Sequence, residues 1–297
     1  MRMRLMGMAA VAVCAAAVGV WAAAPANPAP AVAPPGGAQD LPIPEGAPPF
    51  RAAGVTSGNP LYSPPSTSPA PNGKPGNAYW SLVIQSDPID LKIYWQANKE
   101  LGPPKEGEQR VVFLGDSITE NWQKTFNTNF PGKTNYIGRG RTSETTLHML
   151  GRFRSDVVNI QAKVLVLMAG VNDIAGNSGA VPDEQIHNNF SSIFDICEVN
   201  KIKVVLVSTL PATNFFWQPG LEPKERVADL VKWQKETAAK RGLYFVNAFD
   251  AFKDEQGGMP RKYSGDTVHP NAEGYKLLSG LVEPEIAKAL KGEPPGK

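Results

Sequence analysis

Five short apolar runs separated by helical patterns constrain this chain more than any other feature of its sequence. The runs at 163–168 and 203–207 are nearly continuous Val and Leu, which is typical of strands buried on both faces. Strand–helix alternation of this kind predicts an α/β fold with a parallel sheet between two helical layers. The other predicted strands are 110–114, 135–137 and 244–246, and the predicted helices are 144–158, 183–200, 223–241 and 271–290.

Proline and glycine mark the ends of these helices. Pro182 and Pro270 each precede acidic or Asx residues, which favours a helix start. Gly242 favours a helix end. Residues 79–102 are a further predicted helical segment, and Asp87 is a plausible start for it.

The first 77 residues have the composition of a leader and a linker. Residues 1–24 combine Arg2 and Arg4 with a long Ala- and Val-rich run, which predicts a secretory signal peptide and a secreted or periplasmic protein. An uncleaved anchor is the alternative, but an Ala-rich run of this length is only weakly hydrophobic. Residues 25–77 hold 15 of the 28 prolines and predict a disordered linker, so the folded domain is expected at 78–292.

Charge and cysteine content exclude several classes of function. Removal of the leader, with its two arginines, leaves equal numbers of basic and acidic residues. That balance argues against a nucleic-acid partner or an anionic membrane surface, and no membrane span is expected after cleavage. Cys197 is the single cysteine outside the leader, and its apolar helical context predicts core packing.

Ser117 is the candidate nucleophile because it follows the first predicted strand in the run GDS (115–117). Ligands of parallel α/β folds bind at the carboxyl ends of strands, where this hydroxyl is expected. An Asx turn that caps a helix is an equally simple interpretation of the three residues alone.

A nucleophilic serine needs a base, and the chain offers three histidines. His148 and His187 lie within predicted helices and are most simply helix-surface residues. His269 lies in a loop beyond the fifth strand, and Asp266 precedes it by three residues, close enough to orient the imidazole. The alternative is that this pair only caps the final helix.

Asn172 follows the third predicted strand and is a candidate oxyanion donor, although Asn-Asp after a strand is also ordinary turn chemistry. A metal site of Asp116, Asp173, Asp266 and His269 is a weaker alternative, because no dedicated ligand spacing is present.

Three blocks together resemble the GDSL or SGNH hydrolase family, over roughly residues 108–290. The matching runs are VFLGDSIT (112–119), GVND (170–173) and DTVHPN (266–271). The resemblance implies a flavodoxin-like three-layer α/β/α fold with a five-stranded parallel sheet in the order 2-1-3-4-5. It further implies Ser117 as nucleophile, His269 as base, Asp266 as its partner, and no cofactor or metal.

The same resemblance implies an oxyanion hole formed by the Ser117 N–H, the Asn172 side chain and a backbone N–H of a fourth block. That block reads RGRTSETT (139–146), and Ser143 stands where the family has glycine. The N–H survives this change. If the position needs a positive φ, serine there costs about 1–2 kcal/mol.

Substrate choice is expected to depend on loops beside the catalytic residues. Phe215, Phe216 and Trp217 follow the fourth strand and are candidates for stacking on a sugar or lining an acyl pocket, as are Trp122 and Arg141. The sequence favours an exported esterase that removes short acyl groups from a carbohydrate or small-molecule ester. A lysophospholipase or thioesterase, or a non-catalytic carbohydrate-binding protein, is the alternative.

Overall fold

The computed structural model describes Asp87 and residues 89–296, so the predicted signal peptide and linker lie outside the described residues. The described part holds one five-stranded parallel sheet in the order β2-β1-β3-β4-β5. The strands are β1 Val111–Gly115, β2 Tyr136–Gly140, β3 Val164–Met168, β4 Lys203–Val207 and β5 Tyr244–Val246. All five predicted strands and the implied strand order are confirmed, and β2 runs three residues further than predicted.

The four long predicted helical segments are also helical in the structure. The helices are α1 Trp95–Leu101, α2 Ser117–Gln123, α3 Phe126–Asn129, α4 Thr146–Phe153, α5 Val171–Ile174, α6 Asp183–Val199, α7 Lys224–Arg241, α8 Ala248–Phe252 and α9 Ala272–Lys291. A π-helical turn, Arg154–Val158, extends α4. The short helices α2, α3, α5 and α8 were not predicted, since each is too brief to show a helical period.

The start of the first helix is a correction. Asp87 was a predicted helix start, but its φ is 64°, in the left-handed region. The helix begins only at Trp95. Among the described residues, no helix is long and apolar enough to cross a membrane.

Alternate residues of each strand face opposite helical layers, as the pleat requires. Val112, Leu114 and Leu165 pack in one apolar cluster with α4, α6 and α7. Val111 and Phe113 pack in the other with α2, α3 and α9. The result is the three-layer α/β/α arrangement. Its helices leave the carboxyl ends of β1, β2 and β3 free to carry polar loops.

Cys197 is buried in the first cluster, which confirms the core-packing prediction.

Candidate active site

Ser117 is held at the junction of β1 and α2. Asp116 is the N-cap of α2, and its Oδ1 accepts a hydrogen bond from the Ile118 N–H at 2.9 Å. The helix-capping interpretation of this run is therefore correct for Asp116, and the cap is what puts Ser117 in the first turn. A Cβ on Gly115 would lie 2.1 Å from Thr119 Oγ1 and 2.6 Å from the Met168 carbonyl oxygen. Glycine is needed there for close packing, and no unusual φ is involved.

Ser117 meets the predicted base and its partner. The Ser117 Oγ lies 2.8 Å from His269 Nε2, and His269 Nδ1 lies 2.7 Å from Asp266 Oδ2. Because an ionised carboxylate can only accept, His269 carries its proton on Nδ1 and leaves Nε2 free to accept the serine proton. The structure thus brings together the three residues in the geometry of a nucleophile, a base and an orienting carboxylate.

The loop at 264–270, here called the base loop, is shaped by its own residues. Asp266 Oδ1 accepts from the backbone N–H groups of Val268 at 3.0 Å and His269 at 2.8 Å. An antiparallel bridge joins Ser264 to Pro270 across the loop, and Thr267 adopts a φ of 72° at its tip. Asn271, rather than Pro270, caps the following helix through the Gly274 N–H.

The two carboxyl groups nearest Ser117 have opposite pKa shifts. Partial burial acts to raise the pKa of Asp266, but the two backbone N–H groups and the His269 imidazole outweigh it and lower that pKa to about 2. Complete burial raises the pKa of Asp116 to about 7, against the Ile118 N–H, which acts to lower it. Asp116 Oδ2 has no hydrogen-bond partner in the described part of the chain. Asp266 is therefore the carboxylate that stays ionised beside the imidazole.

The loop at 141–146, here called the oxyanion loop, follows β2 beside Ser117. Ser143 has a φ of 68°, so the strain anticipated for serine at this position is present. The neighbouring N–H groups are engaged: Arg141 donates to the Gly115 carbonyl at 3.0 Å and Thr142 donates to Glu120 Oε2 at 2.6 Å. Within the described residues, no hydrogen bond uses the N–H of Ser143 or of Ser117. Both are free to donate to a bound oxyanion.

A buried ion pair between Arg152 and Glu144 holds the oxyanion loop in place. Arg152 is fully buried and donates to both carboxylate oxygens of Glu144, at 2.9 Å from Nε to Oε1 and 2.6 Å from Nη2 to Oε2. It also contacts Asp156 at 2.7 Å and the Arg139 carbonyl oxygen at 2.7 Å. One guanidinium therefore joins the end of β2, the residue after Ser143 and the π-helical turn.

Asn172 lies on α5, at the carboxyl end of β3, and is buried. Its Nδ2 donates to the Glu144 carbonyl oxygen at 2.9 Å, so the amide is tied to the oxyanion loop. An amide nitrogen carries two protons, and the second is available to a substrate oxygen.

Two of the residues predicted to face the substrate lie in the core, which corrects that prediction. Trp122 is 0% exposed, packs edge-on against Phe113 and donates to Ser279 Oγ at 2.8 Å. Phe215 is 1% exposed and belongs to the apolar cluster beneath α7. Both positions satisfy the ordinary tendency of large rings to be buried.

The other predicted substrate residues lie nearer the surface. Phe216 is 63% exposed, and its ring centroid is 6.5 Å from that of His269. Trp217 is half-buried and donates to Asn177 Oδ1 at 2.9 Å. Arg141 forms a half-exposed ion pair with Asp90. Of the five, Phe216 is the one that the structure brings beside the base.

The remaining candidates have structural roles. His148 forms a capping box with Thr145 at the start of α4, and His187 stacks on Trp233 at 4.1 Å. Asp173 accepts the Thr146 N–H at 2.9 Å. No group of three or more His, Cys, Asp or Glu side chains within the described residues is arranged to hold a metal ion.

Three contributors to the site were not predicted from the sequence. Glu120 and Arg152 hold the oxyanion loop, and Asn177 donates to Asn172 Oδ1 at 2.8 Å. Arg152 could have been found from the sequence through its i,i+4 pairing with Asp156, whereas no such signal marks Glu120.

The arrangement as a whole can carry out acyl transfer. It offers a hydroxyl that can attack a carbonyl carbon, a neutral imidazole to take its proton, and donors for the negative charge that develops on the carbonyl oxygen.

Comparison with known proteins agrees with this geometry. The GDSL-like lipase/acylhydrolase family matches residues 113–277, more than half of the chain. A solved structure of a Bacteroides fragilis protein described as an acylhydrolase is 36% identical, covers 69% of this chain and 99% of its own, and has a TM-score of 0.66. A GDSL-like lipase from Bacteroides thetaiotaomicron is also 36% identical, covers 68% and 98% of the two chains, and has a TM-score of 0.65.

No curated protein matches this chain. The family match spans β1 through the first turns of α9, and so includes Ser117, Asn172, Asp266 and His269. The chain therefore belongs to the GDSL-like lipase/acylhydrolase family.

Proposed function

We propose that this chain is an exported serine esterase that removes short acyl groups, such as acetyl, from a hydroxyl-rich alcohol, best exemplified by a carbohydrate. The observation that carries the proposal is the continuous line of hydrogen bonds from Ser117 Oγ through His269 to Asp266, with lengths of 2.8 and 2.7 Å. These are distances at which a proton can pass from the serine to the imidazole as the C–O bond forms.

The reaction has two halves. Ser117 Oγ attacks the ester carbonyl carbon while His269 Nε2 takes its proton; the imidazolium then gives that proton to the departing alkoxide, which leaves as the alcohol. In the second half, His269 takes a proton from water, the hydroxide attacks the acyl-enzyme, and Ser117 Oγ leaves with the proton returned from His269. The acid is released and the enzyme is regenerated.

Negative charge on the carbonyl oxygen is stabilised by the free N–H groups of Ser117 and Ser143 and by the Asn172 amide. One such donor contributes on the order of 3 kcal/mol to the transition state. The donors belong to three segments held by hydrogen bonds before substrate arrives, so little reorganisation opposes the reaction.

A polar cleft beside the oxyanion loop supports a hydroxyl-rich alcohol. The cleft has a volume of about 350 Å³, and every residue that lines it is polar. Ser143 and Asn177 border it, so the cleft opens next to the oxyanion donors. Its lining carboxylates, hydroxyls and imidazole can accept from and donate to sugar hydroxyls. The lining includes Asp87, Asp90, Thr142, His148 and Ser178.

The exposed ring of Phe216 supports the same substrate class. A ring that is 63% exposed beside the base leaves an apolar face open to solvent. Such a face can stack on the C–H side of a sugar ring while the sugar's hydroxyls contact polar groups. Export is part of the proposal because of the basic and apolar pattern of residues 1–24.

The first test is hydrolysis of 4-nitrophenyl acetate by the wild-type chain, by Ser117→Ala and by Ser192→Ala. Ser192 is the matched control because its hydroxyl only donates to the Asn188 carbonyl oxygen within α6. We expect Ser117→Ala to lose activity by a factor of about 10³ or more, and Ser192→Ala to match the wild type. Equal, slow hydrolysis by all three proteins would sink the esterase proposal and favour a non-catalytic carbohydrate-binding protein.

The second test separates the substrate classes. Esters from acetyl to palmitoyl should give the highest kcat/KM at acetyl, and acetylated xylan should release acetate. Preference for long acyl chains would instead favour a lysophospholipase or thioesterase.

The third test places a large side chain in the polar cleft. Ser178→Trp should raise KM for acetylated xylo-oligosaccharides and leave 4-nitrophenyl acetate hydrolysis nearly unchanged. Ala180→Trp, which adds the same ring at an exposed position outside the lining, is the matched control. Equal kinetics of the two variants on oligosaccharides would remove the cleft from the binding site.

A further inference from the structure

We infer that Asn177 is a positioning residue that fixes the orientation of the Asn172 amide, and that Trp217 in turn fixes Asn177. The inference rests on the proposed function, because it concerns the oxyanion donor of that reaction. It assigns a role to Asn177 and Trp217, which do not belong to the set of Ser117, His269 and Asp266.

Trp217 sets the orientation of two side-chain amides, first that of Asn177 and through it that of Asn172. An indole nitrogen carries a proton and has no lone pair to share, so it can only donate. Trp217 Nε1 lies 2.9 Å from Asn177, and the atom of Asn177 that faces it must therefore be the oxygen. The ring is itself held in place by stacking on Phe215, at 4.9 Å between centroids, which lies in the core.

Because its side-chain oxygen accepts from Trp217, Asn177 must point its NH₂ group away from that indole. Asn177 Nδ2 lies 2.8 Å from Asn172 Oδ1 and 3.5 Å from the Ser143 carbonyl oxygen. The Asn177 backbone N–H also donates to the Asn172 carbonyl oxygen at 3.0 Å. The backbone bond sets how far apart the two residues lie, and the side-chain bond decides which end of the Asn172 amide faces Asn177.

Asn172 then has one favourable orientation. With its oxygen on Asn177, its NH₂ group faces the Glu144 carbonyl oxygen at 2.9 Å and retains one proton for the substrate. A reversed Asn172 would oppose its oxygen to the Glu144 carbonyl oxygen and its NH₂ to that of Asn177. It would also aim an acceptor at the developing oxyanion, which is the wrong polarity.

The test compares Asn177→Asp with Asn188→Asp, using 4-nitrophenyl acetate. In Asn177→Asp the new carboxylate can still accept from Trp217, but it places an acceptor against Asn172 Oδ1 and so drives Asn172 to reverse. We expect kcat to fall by about 10- to 100-fold and KM to change by less than about threefold. Asn188 is exposed on α6, and the same change there adds the same charge without touching the amide chain. Asn188→Asp should keep wild-type kinetics.

A double-mutant cycle with Asn172→Ala shows whether Asn177 acts through Asn172. Asn172→Ala alone should lower kcat by about 10²- to 10³-fold. If Asn177 only orients Asn172, adding Asn177→Asp to that variant should change kcat by less than about twofold, because nothing remains to be oriented. A general structural defect would lower kcat by the same factor in both backgrounds, and that result would overturn the inference.

Trp217→Phe provides a second, milder variant that keeps an aromatic ring for stacking on Phe215 and removes the N–H donor. It should lower kcat by several-fold and lose that effect in the Asn172→Ala background. Wild-type kcat in both Asn177→Asp and Trp217→Phe would overturn the inference while Ser117→Ala still abolished activity. If Ser117→Ala retained full activity, the proposed function itself would fail, so the two failures are distinguishable.

Discussion

The base loop and the oxyanion loop flank the same serine, yet their shapes have different origins. In the base loop, the Asp266 carboxylate accepts four hydrogen bonds from residues within three positions along the chain, namely Ser264, Val268 and, twice, His269. In the oxyanion loop, Thr142 depends on Glu120 and the segment after Ser143 depends on Arg152 and Asn172, all on other helices.

Each loop holds one non-glycine residue with a positive φ, Thr267 in the base loop and Ser143 in the oxyanion loop. The base loop maintains this conformation through its own carboxylate, whereas the oxyanion loop is maintained by packing of the whole β2–α4 region. Damage to the base loop should therefore affect chemistry more than folding, whereas damage to the side chains that hold the oxyanion loop should affect both.

Asp266→Asn should give the largest effect. The new amide can still accept from the backbone through its oxygen, but its NH₂ group would face His269 and favour the tautomer with its proton on Nε2, which cannot take the serine proton. We expect kcat to fall by about 10³- to 10⁴-fold. The urea midpoint should fall modestly at neutral pH, because the backbone hydrogen bonds survive but the stability that accompanies the lowered pKa of the Asp266 carboxylate is lost. A variant that keeps a tenth of wild-type kcat on 4-nitrophenyl acetate would contradict this role.

Arg152→Met should give the largest effect on stability. It leaves Glu144 and Asp156 buried without a cation, and loss of one partner of a buried ion pair costs about 3–5 kcal/mol. Arg241→Met is the matched control, because its partner Asp195 is exposed and the pair is worth at most about 1 kcal/mol. Urea unfolding of both variants measures the difference. Equal losses of unfolding free energy in the two variants would show that burial of the Arg152 ion pairs adds nothing to stability.

Asp116→Asn should give a smaller, pH-dependent effect. Asp116 belongs to neither loop, and His269 acts to lower its pKa while Asp173 acts to raise it. Burial raises the pKa of Asp116 from 3.8 to about 7. At a pH between these two values, the folded protein therefore keeps a proton on Asp116 that the unfolded chain has released. That contribution to stability is fully present below the unfolded pKa and is lost as pH rises through the folded pKa.

Wild-type stability should therefore fall relative to Asp116→Asn between about pH 4 and pH 7, by on the order of a few kcal/mol. Glu144, whose pKa is also raised to about 7 by burial, is present in both proteins and cancels in the comparison. The measurement is the free energy of unfolding in urea at several pH values across this range. Parallel curves for the two proteins would refute the shift.

The same contrast between the loops explains how far the sequence could predict the site. The sheet was predicted because continuous Val and Leu runs, such as 203–207, have one stable use in a soluble α/β domain. Asp266 and His269 were found because their relation is local, three residues apart in one loop. Asn172 was a candidate oxyanion donor because it follows the third strand, whereas strand order and the backbone N–H donors came only from the family resemblance, since spacing alone does not give them.

What the sequence could not predict depends on contacts between distant elements. Phe215 and Phe216 are adjacent and chemically identical, yet one is 1% and the other 63% exposed. A loop has no period that decides which ring turns inward. Trp122 was expected at the cleft, but α2 turns its side chain toward Phe113 and Ser279. Arg152 has Asp156 four residues further along the chain, but nothing in the sequence indicates that it also pairs with Glu144.

Ser143→Gly should give the smallest effect. The sign of its change in unfolding free energy shows whether backbone strain at this position destabilises the protein. Glycine removes a left-handed strain of about 1–2 kcal/mol, but it also gains unfolded-state freedom that costs about 0.5–1 kcal/mol. The net stability change should therefore lie between zero and about 1.5 kcal/mol in favour of glycine. Activity should be equal to or higher than wild type, because the N–H that donates to the oxyanion is retained.

Ser143→Ala distinguishes strain from the hydroxyl, since alanine keeps the Cβ and the strain but loses Oγ. If Glu120 and Arg152 hold the loop firmly, alanine should match wild type in kcat, and glycine should exceed both slightly in stability. A collapse of kcat in both variants would mean that the Ser143 hydroxyl contacts substrate. A collapse in glycine alone would mean that the strained serine is needed to keep its N–H aimed, so that the contacts from other helices are insufficient by themselves.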